Sequence, residues 1–108
     1  MSVEITTLPN GLRVVTEAMD RLETTSIGVW VGVGARAERA EQNGVSHMLE
    51  HMAFKGTASR SARDIAEAIE DVGGHLNAYT SREQTAYYAR VLARDVPLAV
   101  DLLGDILQ

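Results

Sequence analysis

Two histidines and a glutamate, in the order His47-Met48-Leu49-Glu50-His51, are the residues of this chain best suited to chemistry. The run from about Val45 to Phe54 has the character of a helix, on which positions three and four apart share a face. His47 and His51 are four apart, so two imidazoles can reach one point. Glu50 stands three residues after His47 and beside that point. Two neutral imidazoles with an oxygen ligand suit zinc, with one position open for water. A nearby carboxylate that does not ligate can take the proton from such a water. The order H-x-x-E-H inverts the commoner H-E-x-x-H metal-binding order.

The competing reading of these residues is ordinary polarity on an exposed helix. Two features weigh against it. The chain has three histidines and two of them are here. Met48, Leu49, Met52 and Phe54 surround them, which predicts a largely buried helix whose imidazoles need partners. A catalytic zinc generally has three protein ligands, and the motif supplies two. His75, Glu67, Glu70, Asp71 and Glu83 are the other candidates. Glu67, Glu70 and Asp71 read as solvent-facing helix residues and His75 as a loop histidine, so none convinces as a third ligand.

The elements that would position the motif follow from pattern. Val3–Leu8 and Leu12–Glu17 read as strands joined by the turn signal Pro9-Asn10-Gly11. Ser26–Val33 is the clearest strand: Ile27, Val29, Val31 and Val33 fall on one face, with Gly28, Trp30 and Gly32 on the other. Small residues beside one tryptophan can mark close packing over that face or a bulge, and the plainer reading is an ordinary sheet core. Ala35–Gly44 is charged and reads as a solvated loop, with Asn43 or Gly44 opening the histidine helix. Gly56 suits the backbone beyond its end. Ser61 and Asp64 suggest a weak capping box for a helix over Ser61–Val72, whose apolar face is Ile65, Ala66, Ile69 and Val72. Leu76–Thr80 and Gln84–Leu92 read as strands. A last helix, Val96–Leu107, starts at Asp95-Val96-Pro97 and carries Leu98, Leu102, Leu103, Ile106 and Leu107. The order predicts an α+β fold: one antiparallel or mixed sheet with helices packed on one face.

Length and composition set bounds. The 108 residues suit one domain with one core, and 45% are hydrophobic. A formal net charge of -5 argues against a general nucleic-acid binder. The absence of cysteine excludes disulfides, thiolate ligands and cysteine nucleophiles. No apolar run is long enough to span a membrane, and the N-terminus lacks the layout of a secretory signal. The default location is a bacterial cytoplasm; an organelle protein stripped of its presequence has the same appearance.

Several separated segments in order resemble the pitrilysin or insulinase family of zinc peptidases. They are Thr7–Val14, Gly28–Gly34, His47–Thr57, Gly74–Glu83 and Thr85–Tyr88. The resemblance extends to the final helix. It is strongest to the branch of the catalytic beta subunit of mitochondrial processing peptidase and its bacterial relatives. It implies that His47 and His51 bind zinc and that Glu50 is the general base. It implies that Asn77 and Ala78 lie on an edge strand that receives an extended peptide as an added strand. It places the third ligand, a glutamate, on a later helix past Gln108. Residues 1–108 are then expected to be the N-terminal portion of a larger peptidase domain, inactive alone, whose partners are the rest of that domain and a second similar one. Exposed apolar surface on the isolated piece is expected to drive self-association. Two other readings remain open at this point: a noncatalytic peptide-binding relative, and a plain α+β module without metal.

Overall fold

Strand β5 is the axis around which the other elements are arranged. In the computed structural model, which describes residues 3–32 and 34–108, β5 (Thr85–Leu92) lies between β3 (Thr24–Val31) and β4 (His75–Thr80), antiparallel to both. Its alternation decides the layers. Tyr87, Ala89 and Val91 are buried on one face, while Tyr88 and Arg90 are exposed on the other. The register carries this division across the sheet. Ile27 and Leu76 flank Ala89, and Val29 and Ala78 flank Tyr87.

Three helices cover the buried face. They are α1 (Val45–Ala53), α2 (Ala62–Glu70) and α3 (Val96–Ile106). α3 packs on β5 and β3, and α1 and α2 pack on β4. The core joins Ile69 with Tyr87, Ala89 and Val91 and with Ala99, Leu102 and Leu103 of α3. The inward stripe of α2 is Ile65 and Ile69, buried, with half-buried Ala68 between them and half-buried Val72 just past the helix end, the i, i+3, i+4, i+7 set, whereas the expected Ala66 is exposed. The capping box is complete: Ser61 Oγ accepts from the Asp64 amide at 3.0 Å, and the Ser61 amide donates to Asp64 Oδ2 at 3.0 Å.

The link between α1 and α2 is tied to α3 by polar contacts. Thr57 Oγ1 donates to Asp105 Oδ2 at 2.8 Å, and Arg60 Nη1 donates to the same oxygen at 2.9 Å. Arg60 also pairs with Asp101. The Thr57 hydroxyl, then the Arg60 guanidinium, hold the Asp105 carboxyl below its ordinary range.

One expectation needs correction. The strands do not form one sheet: β1 (Val3–Thr7) and β2 (Arg13–Glu17) make a separate two-stranded hairpin. Alternation identifies a strand but does not name its neighbour, and the Pro9–Gly11 turn satisfies these two locally. Leu8 and Leu12 close the hairpin, the Leu8 amide donating to the Leu12 carbonyl at 2.8 Å. The sheet face away from the helices is open at β3. Trp30 is 58% exposed, and its ring lies over Gly28, where an added Cβ would come within 2.9 Å of it. The glycine therefore makes room for the neighbouring tryptophan, and not for a second layer. Val33, expected on this strand, lies outside the described residues.

Leu102 is fully buried, with 0% exposure. Leu102→Ala should cost about 3 kcal/mol, as for large-to-small changes at closed core sites, measured by urea unfolding.

Candidate metal centre

Helix α1 presents a stripe to the sheet that is not its apolar one. Ser46, Glu50 and Ala53 are half-buried, whereas Met48, Leu49 and Met52 are exposed, as are His47 and His51. The expectation of a buried apolar helix around the histidines is therefore overturned. The inward line is i, i+4, i+7, and it carries a carboxylate.

That carboxylate has a partner. Thr80 Oγ1, on β4, donates to Glu50 Oε2 at 2.5 Å. Leu76, Ala78 and Thr80 are the β4 residues facing the helices. Tyr87, beside Ala78, is the next buried group: burial, and secondarily the charge of Glu50, push its phenol upward.

One helical turn brings the two imidazoles together. His47 Nε2 and His51 Nε2 are 3.1 Å apart, with ring centroids 4.6 Å apart. One ligand atom from each of His47, Glu50 and His51 lies within 4.8 Å of the others. The donor set fits zinc: two imidazole nitrogens bound tetrahedrally at the usual length are roughly 3.3 Å apart. Among the described residues no further ligand joins this group. His75 is on β4 at odd parity with Asn77 and Tyr79, on the sheet face away from α1. Glu67 pairs with Arg63, and Glu83 with Arg36.

The charged segment before α1 contributes more than the solvated loop expected of it. Glu38, which the sequence reading did not single out, accepts from the amides of Gly44 at 3.0 Å and Ser46 at 2.7 Å. A carboxylate thus caps the helix one residue before His47, where the helix dipole also favours negative charge. Gly44 enters the helix at φ 87°, in the region that favours glycine. The segment is anchored in turn to the β4–β5 connection. The Ala35 amide donates to Ser81 O at 3.0 Å and the Arg36 amide to Arg82 O at 2.7 Å. Gly34 is needed there, since a Cβ would stand 2.2 Å from Ser81 O. A carboxylate six residues before a helix-entering glycine was the available sequence signal, but such spacing is common in loops.

Among the described residues β4 is an edge strand, so one side of its backbone is open to pairing. Asn77 and Ala78 lie at its middle, and Asn77 Oδ1 accepts from the Ala78 amide at 2.8 Å. The structure thus brings His47, Glu50 and His51 together on α1, and sets α1 against the strand that carries Asn77 and Ala78.

Comparison with known proteins identifies the family. The family model described as insulinase, peptidase family M16, matches residues 13–108. The chain belongs to that family. It is 60% identical over 104 residues to a probable mitochondrial-processing peptidase subunit beta of Arabidopsis thaliana, covering 96% of this chain and 20% of that protein. It is 58% identical over 101 residues to a protein of Mycobacterium bovis named as an uncharacterized zinc protease, covering 94% of this chain and 23% of that one. A crystal structure of a protease from Helicobacter pylori superposes with a TM-score of 0.91 at 30% identity, over 97% of this chain and 26% of that one. The chain thus spans roughly a quarter or less of the length of these insulinase-family relatives. The family match replaces the alternative of a plain α+β module.

The Glu38 cap carries a pH signature. The Ser46 amide, then the Gly44 amide, hold its carboxyl below the ordinary range against a smaller opposing effect of burial. A depressed folded pKa gives stability that is present above the unfolded value and lost as pH falls through the folded one. Glu38→Gln should therefore lower the unfolding midpoint most at neutral pH. The wild-type and variant curves should converge below the ordinary carboxylate range, checked by thermal melts across a pH series.

Proposed function

We propose that this chain carries the metal-binding helix and the substrate-pairing strand of a zinc-dependent endopeptidase acting on extended peptides. The observation that carries the reading is the His47, Glu50, His51 cluster on a helix docked against a free strand edge. His47 and His51 are the ligands this chain would provide for zinc. Bound there, the metal would supply Lewis-acid polarisation of a peptide carbonyl and would acidify a water. Glu50 accepts the proton of the attacking water, and would later return it to the leaving amine. An extended peptide adds to the outer edge of β4 near Asn77 and Ala78, taking backbone hydrogen bonds that hold its scissile bond beside α1. The Ala78 amide that Asn77 now occupies is one bond available for exchange.

The reading places the third ligand, a glutamate, outside residues 1–108, so that these residues form the N-terminal portion of a larger peptidase domain. The rest of that domain, and a second similar one, complete and enclose the site. The whole protein is read as a presequence- or peptide-cleaving enzyme. Its location follows one of two types of relative, mitochondrial or bacterial. Among the described residues no helix is long and apolar enough to cross a membrane.

The ligands and the base should separate on mutation of the full-length protein. His51→Ala should abolish both zinc binding and peptide hydrolysis. Glu50→Gln should retain zinc and lose about a hundredfold or more in kcat. Metal content by atomic absorption, with cleavage of an internally quenched peptide, checks both. Undiminished hydrolysis by Glu50→Gln overturns its role, and zinc binding without hydrolysis by the wild type favours a noncatalytic peptide-binding relative.

The isolated chain exposes Ile5, Val14 and Val15 on the hairpin, Met48, Leu49 and Met52 on α1, and Trp30 on the sheet. Surface of this kind associates. Residues 1–108 alone should sediment as a dimer or larger, and a clean monomer at high concentration would refute this.

A further inference from the structure

We propose that Thr80 is a positioning residue for the Glu50 carboxylate, and that it makes the free strand edge and the histidine helix a single mechanical unit. The inference rests on the peptidase reading above and adds a residue to it.

The argument begins with the cost of facing a carboxylate toward a sheet. Glu50 lies on the half-buried stripe of α1. A charge partly removed from water needs a donor. Among the described residues no lysine or arginine forms an ion pair with it. The donor it has is the Thr80 hydroxyl. A carboxylate has two oxygens. Thr80 takes Oε2 and leaves the other to receive a proton. A single hydrogen bond therefore holds the side chain and leaves one oxygen open.

The position of the hydroxyl is itself determined. Thr80 ends β4, paired with Thr85. The next residue, Ser81, accepts the Ala35 amide, and the segment that follows Ala35 carries Glu38 to the start of α1. Thr80 also lies two residues from Ala78 on the same face of the strand. The strand that would align the peptide and the hydroxyl that aligns the base are therefore one rigid element. An error of about 1 Å between reacting groups can cost about a hundredfold in rate, so this bond has a kinetic task beyond stability.

The test is made in the full-length protein with Thr80→Val, which keeps shape and strand propensity but removes the hydroxyl, and Thr80→Ser, which restores it. Thr80→Val should lower kcat on a quenched peptide by about tenfold to a hundredfold. KM, and the zinc dissociation constant from competition with a chelator, should stay within about threefold, since neither ligand nor strand edge is altered. Thr80→Ser should recover most of the lost kcat. A crystal structure of the zinc-loaded wild type should retain the Thr80–Glu50 contact. An unchanged kcat in Thr80→Val, while Glu50→Gln is inactive, overturns the proposal and leaves the peptidase reading intact. Zinc affinity that falls in step with kcat overturns it in favour of a purely structural role. If Thr80→Val does not fold, the wild-type crystal structure decides: Glu50 turned away from Thr80 overturns the proposal. A wild type that binds zinc yet hydrolyses no peptide overturns the peptidase reading and Thr80's part in it together.

Discussion

The contact on which the site depends is the one between the inward face of α1 and strand β4. It is polar at its centre, where Glu50 meets Thr80. An apolar helix face would have packed on the sheet in any of several rotations. A carboxylate bonded to one hydroxyl favours the rotation that keeps that contact. With Glu50 turned inward, the helical period turns His47 and His51 to the rim, where their nitrogens meet at 3.1 Å. The same rotation leaves Met48, Leu49 and Met52 outward.

Two further restraints keep α1 in that rotation. Glu38 holds its first turn by two amides, and the Glu38 segment hangs on the β4–β5 turn. At the other end, Thr57 and Arg60 tie the exit of the helix to Asp105 of α3. The exposed ion pair Arg36–Glu83 adds little, since both side chains are about 70% exposed. The restraints that matter are hydrogen bonds from backbone amides to a carboxylate and between half-buried groups, where geometry is specified and water competes less. The hydrophobic core lies elsewhere, between β5, α2 and α3. It stabilises the sheet, and the sheet holds the site.

Much of this was legible in the chain. The three helices and five strands follow from periodicity and caps, because amphipathic stripes and turn residues act locally. The histidine pair was legible because i, i+4 spacing on a helix is a fixed geometry, whatever surrounds it. The order of separated segments was legible as a family, and the insulinase-family match over residues 13–108 agrees.

What the sequence by itself determined is the local content: which residues form α1, that His47 and His51 share a face, and that Leu76–Thr80 is a strand. Only the tertiary structure decided how these meet. It separated the β1–β2 hairpin from the three-stranded sheet, left Trp30 over Gly28 on an open face, and placed His75 on the side away from α1. It also recruited Glu38 and Thr80, whose contacts with α1 no spacing in the sequence announces. The reason is physical. A helix or strand is written by interactions among neighbours in the chain. The partner of a half-buried carboxylate, thirty residues distant, is chosen by the rotation of one element on another, and no local pattern records that angle.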